Sequence, residues 1–71
     1  MTYSVISMDT HKTADGRFEF VVTAVGYQVP TVELHRMGGF VSRAIASSRG
    51  KLWKRRFKSQ PIADVVAAAQ A

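Results

Sequence analysis

The sequence predicts a small α+β domain in the order ββαβα: an N-terminal antiparallel β-hairpin, an amphipathic helix, a third short strand and a C-terminal helix. Three observations lead to this fold class. An Asp-Gly pair separates two strand-like runs, and two later segments space their apolar residues as helices do. With 71 residues and no cysteine, the chain forms one domain, 1–71, without disulfide support.

The hairpin is the best-defined element of the sequence. Residues 2–12 and 17–28 both have strand-like composition, and in the second run Phe18, Phe20 and Val22 alternate with Glu19, Val21 and Thr23. A three-residue loop, Ala14-Asp15-Gly16, with a glycine bulge gives one coherent apolar face, whereas a two-residue loop mixes polar and apolar partners. The predicted pairs are Lys12 with Phe18, Thr10 with Phe20, Met8 with Val22, Ile6 with Ala24, His11 with Glu19 and Asp9 with Val21.

A helix is predicted in the middle of the chain, after a strand break at Gln28-Val29-Pro30. Its apolar positions follow helical spacing, but Gly38-Gly39 interrupts them and would cost about 2 kcal/mol in a helix interior. Two alternatives follow: one kinked helix over about 31–49, or a helix over 40–48 after a break. Gly50 is expected just beyond the helix end.

The segment Lys51–Lys58 fits either a strand or a helix. A strand is favoured because the segment lies between a predicted helix end and a helix start and has the length of a strand. In the final helix, Ser59 is the expected cap and Pro61 fits the first turn. Its apolar stripe consists of Ile62, Val65, Val66 and Ala69.

Charge is unevenly distributed along the chain. Residues 1–30 carry a net charge of −1 and residues 31–71 a net charge of +6, which together give the overall +5. Between Arg43 and Lys58 there are seven basic residues and no acidic one. Such an excess indicates a polyanionic partner, because lysine and arginine neutralise phosphates and release counterions. The predicted nucleic-acid-binding residues are Arg43, Arg49, Lys51, Trp53, Lys54, Arg55, Arg56, Phe57 and Lys58.

The two aromatic residues of this segment have two interpretations. Trp53 and Phe57 would stack on unpaired bases if exposed. They would instead belong to the core if the domain needs every large apolar side chain, and this is the favoured interpretation. A weaker alternative treats Thr31–Ser48 as a helix-turn-helix, with its turn at Gly38-Gly39.

The sequence offers little for catalysis. No catalytic residues, metal ligands or cofactors are predicted: His11 and His35 are the only histidines, and Arg49-Gly50-Lys51-Leu52 lacks the first glycine and the Ser/Thr of a P-loop. There is no signal-peptide pattern and no apolar run long enough to span a bilayer, so no membrane contact and a cytoplasmic location are expected. A chain this small gains stability from oligomerisation, which makes a homodimer an open alternative.

Two functional hypotheses follow. The first is a small non-enzymatic nucleic-acid-binding regulatory or accessory protein, with the nucleic-acid type open. The alternative is a protein-interaction module or inhibitor that docks its basic face on an acidic surface of a larger host protein. Its size, basic charge and lack of motifs are typical of small proteins from bacteria, phages and mobile elements, and no motif identifies a family.

Overall fold

A computed structural model describes residues 2–71 and shows three antiparallel strands followed by two helices. The α+β class is confirmed, but the predicted order ββαβα is wrong and the observed order is βββαα. The strands form one sheet in the order β1-β2-β3. The elements are β1 (Thr2–Lys12), β2 (Phe18–Tyr27), β3 (Val32–Phe40), α1 (Arg43–Lys58) and α2 (Ile62–Gln70).

The first hairpin has the predicted register. All six predicted pairs between β1 and β2 are observed, including His11 with Glu19. Gly16 adopts a φ of 82°, which a residue without a Cβ reaches at little cost. The Asp15 carboxylate accepts hydrogen bonds from the Thr13 hydroxyl and from the backbone N–H of Arg17 (3.1 Å), and these lower its pKa. Turn chemistry and alternation therefore determine this part of the fold.

The alternative of one kinked helix over 31–49 is wrong, because Val32–Phe40 is the third strand. The other alternative, a helix over 40–48 after a break, is confirmed in part, since α1 begins at Arg43. Two irregularities in its pairing with β2 explain the error. Thr23 pairs with Glu33 but Val22 pairs with His35, and Phe20 pairs with Met37 but Phe18 pairs with Phe40. At each irregularity β3 contains one extra residue. Successive side chains on the same face then lie three residues apart instead of two, a spacing that is also found on one side of a helix.

Residues 43–58 form one continuous helix, so the predicted strand Lys51–Lys58 and the predicted helix end at Gly50 are both wrong. The Ser42 hydroxyl caps its start by accepting from the N–H of Ile45 (3.2 Å). The helix-turn-helix interpretation is wrong as well, since a strand stands where its first helix was expected.

Gly50 lies buried inside α1 for a packing reason. A Cβ atom at this position would lie 2.8 Å from the side chain of Met8 and 3.1 Å from the Cβ of Phe20. The helix can therefore approach the sheet closely only where the side chain is missing. A glycine in such a place resembles a helix end in sequence but marks a helix–sheet contact in the fold.

The two helices cover one face of the sheet. The buried core consists of Ile6, Phe20, Val22, Ala24 and Val66, and Ile62 of α2 packs against it. The predicted stripe of α2 is confirmed in part, with Val65 and Val66 each 5% exposed. Ser59, predicted to cap this helix, instead ends α1, and Pro61 occupies the cap position of α2. The opposite face of the sheet has no helix over it in the described part of the chain.

Candidate nucleic-acid interface

All nine residues predicted to bind nucleic acid lie on α1, whose sequence contains seven basic residues and no acidic one. Within residues 2–71, every salt bridge involves His11 or Arg36, so no basic side chain of α1 is paired with a carboxylate. Arg55, Arg56 and Lys58 occupy the last turn, where they favourably oppose the helix dipole. The helix is thus a concentrated, uncompensated source of positive charge.

Four of these side chains share one outward side of the helix, which we call the lysine face. It consists of Lys51, Lys54, Arg55 and Lys58. Their spacing of i, i+3, i+4 and i+7 brings them together at 3.6 residues per turn. The four residues line one shallow depression on the surface. Lys58 also lines a second depression with Ser4, Val5 and Ile6 of β1, so the lysine face lies on the β1 side of the molecule.

Two arginines point to a different side of the same helix. Arg49 and Arg56 are seven residues apart, two turns, and share their side with Ile45 and Leu52. We call these four residues the arginine flank. The guanidinium of Arg56 lies over the ring of Trp53, 4.5 Å from its centroid, a distance that suits a cation–π interaction. The seven cations are therefore divided between separate surfaces.

Arg43 stands apart from both groups, in the first turn of α1. Its guanidinium lies 5.4 Å from the centre of the Phe18 ring. Along the helix axis it is about 12 Å from Lys51. A contact that engages Arg43 together with the lysine face would have to extend along most of α1.

Trp53 and Phe57 point towards the sheet and pack against the core. The Trp53 ring stacks on His35 of β3, with 3.9 Å between centroids and 20° between planes, and Phe57 follows at 5.9 Å. Both rings are partly buried in these contacts. In this arrangement their interactions are made within the protein, which leaves the basic side chains as the accessible part of the predicted site.

The uncovered face of the sheet has a different electrostatic character. Arg36 donates from Nη1 to Glu19 (2.5 Å) and from Nη2 to Glu33 (2.7 Å), while His11 contacts the same Glu19 carboxylate. Hydrogen bonding to Glu33 is the main cause that raises the Arg36 pKa above its ordinary value. Sequence reasoning found the His11–Glu19 pair but missed Arg36, because the position of β3 beside β2 was not predicted.

This network makes the sheet an unfavourable surface for a polyanion. On the uncovered face, Asp9, Glu19 and Glu33 outnumber Arg36, and Arg36 is already engaged by two carboxylates. Positive charge is therefore concentrated on the helical side and negative charge on the uncovered side of the sheet. The field of the whole molecule would therefore direct an anionic molecule to α1 rather than to the sheet.

The described residues contain no group of three or more side chains that could hold a metal ion. None of the helices in residues 2–71 has the length and apolar composition needed to cross a bilayer. Comparison with known protein families, curated proteins and solved structures found no match to this chain.

Proposed function

We propose that this chain is a non-enzymatic nucleic-acid-binding protein that holds the phosphate backbone of a duplex against the lysine face of α1. The observation that carries the proposal is the set of uncompensated cations on one helix, four of which share a side. Charge of this kind supplies affinity for phosphates without reading the base sequence.

The size of the lysine face suits a short stretch of duplex. From Lys51 to Lys58 the helix rises about 10 Å. Duplex DNA presents one phosphate charge per ~1.7 Å of its axis, so a segment of this length carries about six. This count covers both strands, about three phosphates on each, so the number of phosphates over this length is sufficient for four cations.

The position of the aromatic residues favours a duplex over a single strand. Binding of single strands relies on exposed rings on which successive bases stack. Here Trp53 contacts His35 and Arg56, and Phe57 packs against the core, so the helix offers cations rather than stacking platforms. Contacts to backbone phosphates do not require unpaired bases.

The test is fluorescence anisotropy with labelled duplex DNA, duplex RNA and single-stranded DNA over a range of salt concentrations. For four phosphate contacts on duplex DNA, the slope of log K against log salt should be about −3.6. The double variant Lys51→Gln/Lys54→Gln should bind more weakly, with a slope smaller in magnitude by about 1.8.

The matched control is Lys12→Gln/Arg17→Gln, which removes the same charge from the hairpin. It should retain the wild-type slope. Equal effects of the two double variants would show a response to net charge alone and contradict the lysine face as the site. Tighter binding of single-stranded than of duplex DNA would contradict the duplex assignment.

The alternative of a protein partner is supported by a different side of α1. On the arginine flank, exposed apolar side chains accompany the cations, a combination that phosphate binding does not need.

A further inference from the structure

The arginine flank exposes large apolar side chains. Ile45 is 43% and Leu52 55% exposed, and they lie on the same side of α1 as Arg49 and Arg56. Val41, just before the Ser42 cap, is 71% exposed. Single exposed apolar residues are ordinary on protein surfaces, but Ile45 and Leu52, aligned on one helix side, make that side a candidate contact surface.

This side is separate from the lysine face. Around the helix axis, Leu52 is about 100° from Lys51 and about 160° from Lys54, whereas Arg55, about 60° away, borders the flank. It lies towards β3, where Trp53 stacks on His35 and Arg56 covers the Trp53 ring. A second partner can therefore occupy the flank while Lys51, Lys54 and Lys58 remain accessible.

We infer that the arginine flank binds an acidic amphipathic helix of another protein. Apolar residues of that helix would cover Ile45 and Leu52, and its carboxylates would pair with Arg49 and Arg56. Arginine suits such a contact because its planar fork can bind a carboxylate through two hydrogen bonds. Arg56 is already oriented by Trp53, which reduces the entropy lost when a partner binds.

Charge complementarity selects this occupant over a second copy of the chain. If two arginine flanks met, the arginines of both copies would be brought together without carboxylates, because α1 contains none. Glu19 and Glu33 are already bonded to Arg36 on the far side of the sheet. The apolar residues likewise argue against nucleic acid, since phosphates would leave Ile45 and Leu52 without an apolar partner.

The experiment is a selection from a displayed library of helical peptides about 18 residues long against the full chain, followed by synthesis of the enriched peptides. We expect apolar residues at helical spacing, flanked by Asp or Glu. Each of two variants, Ile45→Gln/Leu52→Gln and Arg49→Gln, should weaken binding of these peptides at least about tenfold. Circular dichroism shows whether each variant remains folded.

The matched control is Lys51→Gln, which removes one charge from the neighbouring lysine face and should change peptide affinity less than about twofold. Equal losses for Arg49→Gln and Lys51→Gln would overturn the inference, since binding would then follow net charge. No enrichment, or enriched peptides without acidic residues, would overturn it too.

Two further outcomes identify other occupants and would also overturn the inference. Sedimentation could show a dimer that Ile45→Gln/Leu52→Gln dissociates, which would assign the flank to a second copy. Duplex DNA affinity could fall in the same variant as strongly as in Lys51→Gln/Lys54→Gln, which would make the flank part of the nucleic-acid interface.

Discussion

The outward sides of α1 and the uncovered face of the sheet differ in whether their charged side chains form ion pairs within the protein. On the sheet, Arg36 joins Glu19 and Glu33, so these charges are paired within the protein, although the face keeps a negative excess. On α1, seven cations have no carboxylate partner in the part of the chain that the structure describes. Paired charges contribute to the fold, whereas like charges crowded on one helix repel one another, and an external anion would relieve that repulsion.

The largest expected effect comes from separating α1 from the sheet at Gly50. Gly50→Leu places a side chain against Met8 and Phe20 and should lower the free energy of unfolding by about 3 kcal/mol. Urea denaturation followed by Trp53 fluorescence measures the change. The control Ala44→Leu adds the same side chain type at an exposed position of α1 and should change stability by less than about 0.5 kcal/mol. Similar losses for both would mean that Gly50 is not the contact point.

A smaller loss of stability is expected when the ion pairs of Arg36 on the uncovered face of the sheet are removed. Arg36→Gln leaves Glu19, whose side chain is 15% exposed, without its guanidinium partner. The midpoint of thermal unfolding at low salt should fall by about 2–4 °C. Added salt should reduce the difference, because screening weakens the ion pairs that remain in the wild type. An unchanged midpoint at low salt would show that the network adds nothing to stability.

The smallest expected effect is a gain in stability and concerns the lysine face. Lys51→Gln/Lys54→Gln removes two cations from a crowded set and should raise the thermal midpoint at low salt by about 1–2 °C. The gain should disappear at high salt, where repulsion is screened. Calorimetry at two ionic strengths distinguishes this from a salt-independent change in helix propensity. A lower midpoint at low salt would show that these lysines stabilise the fold.

The sequence predicted the hairpin and the last helix well because their signals are local. Gly16 and the alternation in β2 are sufficient to determine the register with β1. The third strand was missed because two bulges altered the spacing of Leu34, Met37 and Phe40. Gly38-Gly39 argues against a helix here, but the spacing of the apolar residues by itself does not distinguish such a strand from a helix.

For the candidate site, the sequence predicted a set of basic residues but not the surfaces on which they lie. The basic residues of 43–58 were found by composition, which does not depend on structure. Their division into a lysine face and an arginine flank depends on a continuous helix, and Gly50 concealed that continuity. The accessibility of Trp53 also stayed open in the sequence analysis. Its ring stacks on His35, which lies on the strand β3 that the sequence analysis did not predict.

The order of the elements has a consequence for how the chain folds. Each strand pairs with its neighbour in sequence, so the sheet can assemble through two hairpins with short loop closures. A ribosome completes all three strands before α1 is made. Until that helix docks, Phe20 and Val22, which are fully buried in the finished protein, lack their cover. The newly made sheet is therefore the species most prone to aggregate, and synthesis of α1 ends that vulnerable interval.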